Sequence, residues 1–513
     1  MSRRVQIKFV AVATVVLLAV LGVVATWMFG RNAAPDEWDA LGRKPRIRPD
    51  YSGITIPSNI AALNFVVEEL GSAYHVQIHA AAKGERIDIA SKRGTIVIPP
   101  QKWRDLLSHN RGGSIKIDVY VRDLTGQWKR FETIENAIAE EKIDSHLVYR
   151  LLGAVYQYWS HIGIYQRNLE SYEESPILLN GSLDNGCVNC HTFAGNDPDQ
   201  FLFHVRPGSS KALSSGMIAV RNDKAVKINA KGKTIPRSAG YTSWHPNGRI
   251  AAFSVNRIGQ FRHDSGVEIR EVYDFESDLA IIDFRTGAIS TVPGISDPHR
   301  LETFPAWAPD GKNLYFCSAR PPWNNWKRVA CNDCSKVKYD IVRISYDATK
   351  NKWGQPEVVL SSEKSGLSLT QPRISPDGRF LLFAAAGHGA FPVLENDSDI
   401  WLMDLARAKI KRLDANSPRS ESWHCWSSNS RWIVFSSKRG NGLLARPYIC
   451  YIGPDGKEGK PFVMPQKDPL FYDTFLKTYN LPELITGPVT IAQKELVRAV
   501  MDKSYDSLTR ATP

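Results

Sequence analysis

The sequence predicts a mainly β protein: an N-terminal transmembrane helix, a small β-sandwich-like domain, a helical haem c segment and a C-terminal β-propeller. At 513 residues the chain is too long for one ordinary core, so several domains are expected. The propeller is predicted by a repeat of strand, tight turn and strand, with the turn recurring every 52 to 67 residues. Four strands in such a unit describe a blade. The clearest units are 241–254, 304–318, 370–384 and 421–436, with a further half unit at 216–232, so residues 213–465 are expected to form four to six blades.

The N-terminus predicts a single membrane anchor. Residues 1–8, "MSRRVQIK", are short and basic, and residues 9–30 form an apolar run without a charge. About 20 apolar residues in a helix span a bilayer core. The run is longer than the apolar region of a signal peptide, which favours an uncleaved anchor over a cleaved signal. Arg3, Arg4 and Lys8 are expected on the cytoplasmic side, which puts the bulk of the chain on the periplasmic side of a bacterial inner membrane.

The segments after the anchor differ in their periodicity. Residues 31–56 are polar and contain proline, and they are predicted to be a tether. Residues 57–133 alternate apolar and polar residues with a period of two, which is typical of the strands of a small β-sandwich-like domain. One short helix, "KWRDLLS", is expected to interrupt these strands. Residues 466–513 are predicted to be a partly helical tail.

Residues 134–212 are predicted to form a helical haem-binding segment. Asp144 or Ser145 suits the first cap of a helix. Apolar residues then recur at helical spacing, which predicts one long helix, or two that bend at Gly153 or Gly163; these residues are Leu147, Leu151, Val155, Tyr158, Ile162 and Tyr165.

The stretch "NGCVNCHTF" carries the strongest chemical signal of the chain. Cys187 and Cys190 are three residues apart, and His191 follows at once. Cys-x-x-Cys-His is the attachment signal for haem c: two thiols form thioethers with the vinyl groups, and the histidine binds the iron. With 7 Cys and 12 His in 513 residues, roughly 0.002 such motifs are expected by chance. A disulfide or a zinc half-site is the alternative, although no second ligand pair follows nearby.

The residues after the motif offer a second iron ligand. Asp197 and Pro198 suit the start of a short helix, which places His204 near its end. His204 is therefore the candidate distal ligand, and Arg206 is a possible contact to a haem propionate because guanidinium and carboxylate pair well. The alternatives for the sixth position are Met217, another histidine such as His161 or His245, and a position left open or bound by water.

Two resemblances accompany these motifs. Residues 240–465 resemble TolB-type, WD40-like propeller repeats, whose mark is Pro-Asp-Gly followed by Asp-Ile-Trp; residues 375–404 match it well. Residues 9–465 as a whole resemble bacterial membrane-anchored monohaem c-type proteins, through "GIYQRNLESYEESPILLN", "CVNCHTF" and "FHVRPG" followed by the TolB-type repeats. This resemblance implies one covalent haem c and names no substrate.

These features predict one-electron transfer, with the propeller as a docking platform for a redox partner in the periplasm or the membrane. The alternatives are a haem-dependent oxidoreductase with a substrate site in the propeller funnel, and a haem-containing sensor or scaffold. The iron chemistry belongs to the cofactor in each case. The net charge of +12 comes without a Lys/Arg block that carries interleaved aromatics, so no nucleic-acid partner is expected.

Five cysteines lie outside the haem motif. Cys331 and Cys334 share its spacing, but Ser335 follows them, so a second haem site is not expected there. In an oxidising compartment they are predicted to form a disulfide, with free thiols or a metal site as alternatives. Cys317, Cys425 and Cys450 lie in strand patterns and are expected to pack as small hydrophobes.

Overall fold

The computed structural model describes residues 34–80, 86–153, 162–206, 215–228, 239–262 and 270–502. They belong to two compact units. The first contains the residues up to Glu140 together with Pro465–Thr474, and the second contains Glu141–Met464 and the residues from Phe475 onward. The predicted basic segment 1–8 and anchor 9–30 lie outside the described residues. Within the described ranges, no helix is long and apolar enough to cross a membrane.

The first unit is built from two sheets. Its strands are β1 Asp39–Ala40, β2 Ile47–Arg48, β3 Thr55–Ile56, β4 Phe65–Val67, β5 Ala73–Ala80, β6 Ile87–Ser91, β7 Thr95–Ile96, β8 Ser114–Arg122, β9 Trp128–Arg130 and β10 Ile134–Ile138. β8 pairs with β5, β9 and β10 in a seven-stranded sheet, and β4 pairs with β2 and β7 in a three-stranded one. The alternation of the sequence is visible in β10, where Ile134, Asn136 and Ile138 are buried and the residues between them are exposed.

The tether predicted at 31–56 is wrong for its described part. β1, β2 and β3 lie in this segment and pair with β9, β4 and β10. Ile47, Tyr51 and Ile54 are buried, and the side-chain amide of Asn136 bonds the backbone of Tyr51 and Ile54. Each strand is only two residues long, and the strand with which it pairs is distant in sequence. The local sequence therefore has no periodic pattern that would predict these strands.

Five α-helices lie among the described residues: α1 Pro100–His109, α2 Cys331–Cys334, α3 Ser362–Ser365, α4 Phe471–Thr474 and α5 Gln493–Met501. α1 contains the short helix predicted between the N-terminal strands. It begins with proline at its first position, where a missing N–H costs nothing, and it buries Trp103, Leu106 and Leu107.

The second unit consists of six four-stranded antiparallel sheets among its described residues. Their strands are β11 His146–Leu152, β12 Gly163–Asn168, β13 Glu174–Leu179, β14 Cys187–Ala194, β15 Asp197–Arg206, β16 Gly216–Arg221, β17 Lys224–Ile228, β18 Ala239–Trp244, β19 Ile250–Arg262, β20 Arg270–Asp283, β21 Ala288–Ser290, β22 Leu301–Trp307, β23 Asn313–Ala319, β24 Asp340–Asp347, β25 Lys352–Leu360, β26 Ser368–Ile374, β27 Phe380–Ala386, β28 Asp399–Asp404, β29 Lys409–Arg412, β30 Glu421–Trp426, β31 Trp432–Ser437, β32 Arg446–Tyr451, β33 Phe462–Val463 and β34 Thr478–Ile485. Consecutive strands form one sheet, except that β34 joins β11, β12 and β13.

These six sheets are the blades of a closed propeller. The innermost strands contact one another in the order β34, β14, β18, β22, β26 and β30, and β30 returns to β34. β34 closes the ring because the C-terminal end of the chain supplies the inner strand of the first blade. The predicted number of four to six blades is thus met by six. The first blade was not predicted, and the second was predicted only through the half unit at 216–232, which contains β16 and β17.

The long helix predicted from Asp144 is wrong for its described residues. They form β11 and β12, and residues 154–161 lie outside the described ranges. A blade strand is covered on both faces, so its apolar residues run on without strict alternation and imitate a helical pattern. Leu147, Val148 and Tyr149, three residues in succession, are all buried.

The short helix predicted around His204 is also wrong. Residues Asp197–Arg206 form β15. The Asp197 carboxylate accepts a hydrogen bond from the Asp199 backbone N–H at 2.9 Å, which closes a turn instead of capping a helix. Phe201 and Phe203 pack towards the first blade, whereas Leu202 packs towards the third, as the period of a strand requires. The predicted helical haem segment 134–212 is therefore replaced by strands over its described part.

The tail predicted to be partly helical contains both α5 and β34. α5 packs Leu496, Ala499 and Val500 against the core shared by the first two blades. Similar apolar clusters lie between every later pair of neighbouring blades. The hydrophobic core is therefore a ring of inter-blade layers around a central channel, and the channel is where the functional side chains lie.

Candidate functional site

The innermost strands carry bulges at one level of the channel. In β14, β22, β26 and β30 the pairing to the next strand slips at this level, and β18 and β34 show a similar slip. Five of these bulges contain a residue with a left-handed backbone; these are Cys190, Phe304, Gln371, Trp423 and Leu481, with φ between 44° and 55°. This conformation is unfavourable for residues with a side chain, and bulges near a functional site often re-aim side chains. The channel is therefore specialised at this level.

The Cys-x-x-Cys-His motif lies in β14, the inner strand of the second blade. Residues three apart in a regular strand face opposite sides of a sheet, but the bulge after Asn189 adds a residue to the alternation. The thiol of Cys187 is close enough to interact electrostatically with the thiol of Cys190. The charge of Arg206 also interacts with Cys190. Burial raises the pKa of the Cys190 thiol, and neither cysteine is in a disulfide. The strand thus holds two unpaired thiols near each other.

His191 is the least satisfied polar group of the motif. Its side chain is only 5% exposed, and neither Nδ1 nor Nε2 has a hydrogen-bond partner. Burial, reinforced by the charge of Arg150, lowers the pKa of His191 to about 3, while the backbone of Leu481 and Val148 opposes this shift. The ring is therefore neutral at physiological pH, which is the form that binds metals. Buried polar atoms are nearly always paired, so two orphaned nitrogens call for a missing ligand.

A cavity of about 500 Å³ adjoins the motif inside the channel. All six inner strands line it, from the bulges to the turns that lead into the second strand of each blade. Cys190 and His191 contribute to its wall. Tyr241, Phe304 and Trp423 also line it, and their rings contact one another with centroids 4.2 to 5.9 Å apart. The cavity therefore combines a large aromatic surface with the motif.

The orphaned polar atoms of the channel concentrate around this cavity. Besides His191, the buried side-chain atoms without a partner there are Trp307 Nε1, Gln371 Nε2, Trp423 Nε1 and both ring nitrogens of His424. His424 lies on β30 and is 3% exposed. Indole and amide N–H groups only donate hydrogen bonds. The cavity is thus rich in donors that would suit a ligand with acceptor oxygens.

The charges around the site are predominantly positive. The charges of Arg150 and Arg206 lower the pKa of the Cys190 thiol. The charges of Arg150 and Arg373 lower the pKa of the His191 ring. Within the described residues none of these three guanidinium groups has a carboxylate partner, and Arg150 donates to Asn189 and Asn480 instead. Three guanidinium groups without counter-ions favour an anionic ligand.

Glu483 is the acidic residue closest to this level of the cavity. Its carboxylate accepts hydrogen bonds from the Phe193 backbone N–H at 2.9 Å and from the Thr192 hydroxyl at 3.3 Å. Burial raises the pKa of Glu483 to about 7, although Arg373 opposes the shift. Its charge is therefore only partial at neutral pH and does not neutralise the arginines.

The structure brings some of the predicted site residues together. Cys187 pairs with Arg206 across β14 and β15, so the Arg206 side chain lies on the same side of the sheet as that thiol. His204 pairs with Asn189 and also lies on this side, but its Nε2 hydrogen-bonds the Thr242 hydroxyl at 2.9 Å. Neither His204 nor Arg206 lines the cavity. The role of His204 as distal ligand and that of Arg206 as propionate contact stay predictions.

The other residues predicted as alternatives for the sixth position at the iron are either less suitably placed for that role or outside the described residues. Met217 is fully buried in β16, within the core between the second and third blades. His245 lines the cavity, but its Nε2 bonds the Gly311 carbonyl at 3.0 Å and its Nδ1 accepts from the Asn247 N–H at 3.1 Å. His161 lies outside the described residues. Sequence reasoning missed His424, Arg373 and Glu483, because each lies in an ordinary blade strand without a motif of its own.

The second Cys-x-x-Cys pair is placed away from the cavity. Cys331 and Cys334 form the ends of α2, and both are free thiols, so the predicted disulfide is not present. Cys334 is buried, and burial raises the pKa of its thiol to about 12. Within the described residues, no group of three or more His, Cys, Asp or Glu side chains is arranged to hold a metal ion. Cys317, Cys425 and Cys450 are buried in strands, as predicted.

Comparisons with known proteins add no functional information. No protein-family model matches the chain, and no curated protein does either. The periplasmic gluconolactonase of Pseudomonas aeruginosa is 13% identical over 63% of this chain and 97% of that chain, with a TM-score of 0.32. The oligogalacturonate lyase of Vibrio parahaemolyticus is 10% identical over 60% and 92%, also at 0.32. A nidogen/laminin complex is 10% identical over 66% and 98%, at 0.38. The propeller architecture follows from the strand pairing itself.

Proposed function

We propose that this chain is a c-type monohaem protein that transfers single electrons on the periplasmic side of a membrane. Cys187 and Cys190 would hold the haem by thioethers, His191 would bind the iron, and residues 9–30 would anchor the chain. The observation that carries the proposal is the pair of orphaned, buried nitrogens on His191, directly beside a cavity that its own strand lines.

The thiols support this assignment. Both thiols are buried and unpaired. Residues three apart in a regular strand would face opposite sides of the sheet, but the bulge in β14 brings the two thiols close enough to interact. The motif is therefore better explained by a group that both thiols reach.

The charges support an anionic, planar ligand. Haem carries two propionates on a flat macrocycle, and carboxylates pair well with guanidinium groups. Arg150, Arg206 and Arg373 supply three such groups without a carboxylate partner among the described residues. The rings of Tyr241 and Trp423, stacked at 5.7 Å, supply an apolar aromatic surface.

Each chemical requirement of electron transfer is then met by a named part of the chain. A bound haem iron gains and loses one electron, and its potential depends on its ligands and surroundings. Burial keeps His191 neutral, so that its lone pair is free for the metal. The inter-blade core holds β14 in place, and the aromatic rings of the channel would give the haem an apolar surface.

The experiment is expression of the full chain in a bacterium with intact cytochrome c maturation, followed by haem quantification in denatured protein. One covalent haem per chain is expected. Cys187→Ala and Cys190→Ala should each weaken covalent attachment, and the double variant should abolish it. Cys425→Ala is the matched control, because this cysteine is also buried and lines the same cavity without belonging to the motif. Equal haem content in the double variant and the control would overturn the proposal.

A haem-dependent oxidoreductase is the second candidate. The donors Trp307 Nε1 and Gln371 Nε2 favour it, because they line the cavity and have no partner. An acceptor-rich substrate beside the haem would satisfy them. A high-spin spectrum that shifts when carbon monoxide or peroxide is added would favour this candidate over electron transfer.

A further inference from the structure

The bulge level of the channel contains a second histidine with the properties of His191. In each inner strand one residue occupies an equivalent position at this level: it directly follows the residue with the left-handed backbone or, in β18, follows Tyr241. In chain order these residues are His191, Thr242, Pro305, Pro372, His424 and Pro482. Only the two histidines offer a nitrogen lone pair to a metal. The second blade and the sixth blade thus present the same ligand type at the same level.

His424 is buried without any hydrogen bond from its ring. It is 3% exposed, and both Nδ1 and Nε2 are orphaned. Burial lowers the pKa of His424 to about 3, with a further contribution from Arg373, so the ring is neutral. The backbone of Gln371 and Leu382 lies close enough to the ring to oppose this shift. Neither contact has the geometry of a full hydrogen bond to a ring nitrogen. An unsatisfied neutral imidazole in a core is costly unless a ligand completes it.

The competing histidines are already engaged. His204 bonds Thr242 through Nε2, and both ring nitrogens of His245 have protein partners. Among the described residues, His191 and His424 are the buried histidines whose two ring nitrogens both lack a partner. Both also line the same cavity.

We infer that His424 would bind the iron as a second ligand together with His191, in place of His204. This inference rests on the proposed function, since it requires a haem attached at Cys187 and Cys190. An iron held by both histidines would have two imidazole ligands and would be six-coordinate and low-spin. Two histidines give a lower reduction potential than a histidine and a methionine, so the protein is suited to donate electrons at low potential.

The test is the absorption and electron paramagnetic resonance spectrum of the full-length haem-loaded protein and its His424→Ala variant. The unchanged protein should be low-spin and should not bind carbon monoxide. His424→Ala should become high-spin and bind carbon monoxide, with covalent haem content unchanged. Added imidazole should restore the low-spin spectrum of the variant, which shows that the fold and the vacant position are intact. His424→Met should keep six ligands and raise the potential.

His204→Ala and His245→Ala are the matched controls, and both should leave the spin state unchanged. A low-spin spectrum in His424→Ala would overturn the inference, and so would conversion to high spin in His204→Ala alone. A high-spin spectrum in the unchanged haem-loaded protein would overturn it as well. The proposed function fails separately, by absence of covalent haem in the unchanged protein.

Discussion

Replacing Glu483 by Gln should make the second unit more stable at alkaline pH than at acid pH, relative to the unchanged protein. Glu483 lies on β34, the strand that closes the propeller, and burial raises the pKa of its carboxyl from 4.5 to about 7. The folded state therefore holds a proton that the unfolded state releases. Gln keeps the acceptor oxygen for the Phe193 N–H and removes the titration.

The size and sign of the effect follow from linkage. A shift of about 2.5 pKa units corresponds to about 3 kcal/mol at about 1.36 kcal/mol per unit. The folded pKa is the higher one, so the full stability is present below pH 4.5 and is lost as the pH rises through about 7. Between pH 5 and pH 8 the unchanged protein should lose about 2–3 kcal/mol of folding free energy that Glu483→Gln retains.

The assay is urea unfolding of the full chain in detergent at both pH values, followed by tryptophan fluorescence. The difference in unfolding free energy between Glu483→Gln and the unchanged protein should grow by about 2–3 kcal/mol from pH 5 to pH 8. Glu363→Gln, an exposed change on α3 in the same unit, is the control and should show no growth. If the difference in unfolding free energy between the two proteins is the same at both pH values, the Glu483 carboxyl is not buried in its protonated form and the reasoning is refuted.

Further predictions concern the core, the ring closure and the second cysteine pair. Trp432 is fully buried and donates its indole N–H to the Glu141 carbonyl, so Trp432→Ala should lower the free energy of unfolding by about 3–5 kcal/mol, and Trp432→Phe by less; urea titration decides this. Truncation before residue 478 removes β34, so β11 should lose protection in amide hydrogen exchange, whereas unchanged protection would contradict closure by that strand. Iodoacetamide at pH 8 should alkylate Cys331 well before Cys334, because Cys334 is buried with a thiol pKa of about 12; peptide mass spectra showing the reverse order would contradict the placement of α2.

The later blades were predictable because their signal is local. Pro-Asp-Gly turns join the first two strands of the blades that contain Gly311 and Gly378, where φ is 68° and 73°. A turn that needs a positive φ favours glycine at that position, so the turn can be recognised from the sequence alone. The motif at Cys187 could also be recognised from the local sequence, because the chemistry of haem attachment fixes the spacing of its residues.

The first blade was missed, and the second was predicted only through the half unit 216–232, because their signals are non-local or ambiguous. β34 pairs with β11 across more than 300 residues, for example Ile485 with His146, and no window of sequence contains both. Strands covered on both faces lose their alternation, so β11 and β12 imitated a helix. The helical interpretation of β15 failed because Asp197 closes a turn as readily as it caps a helix.

The site itself was only half predictable. The motif named Cys187, Cys190 and His191, but His424 and Arg373 reach the cavity only through the closure of the ring. His424 stands in "SWHCW", which reads as an ordinary apolar strand. Its distinction is an orphaned ring beside a cavity, and that property exists only in the folded chain.

The most direct test of the central claim is the mass of the tryptic peptide 168–211, which contains both cysteines of the motif, from full-length protein matured in a cell that assembles c-type cytochromes. The account predicts this peptide with the mass of one haem added and with no thiol left to alkylate at Cys187 or Cys190. The bare peptide, with both thiols free to react after denaturation, would contradict it.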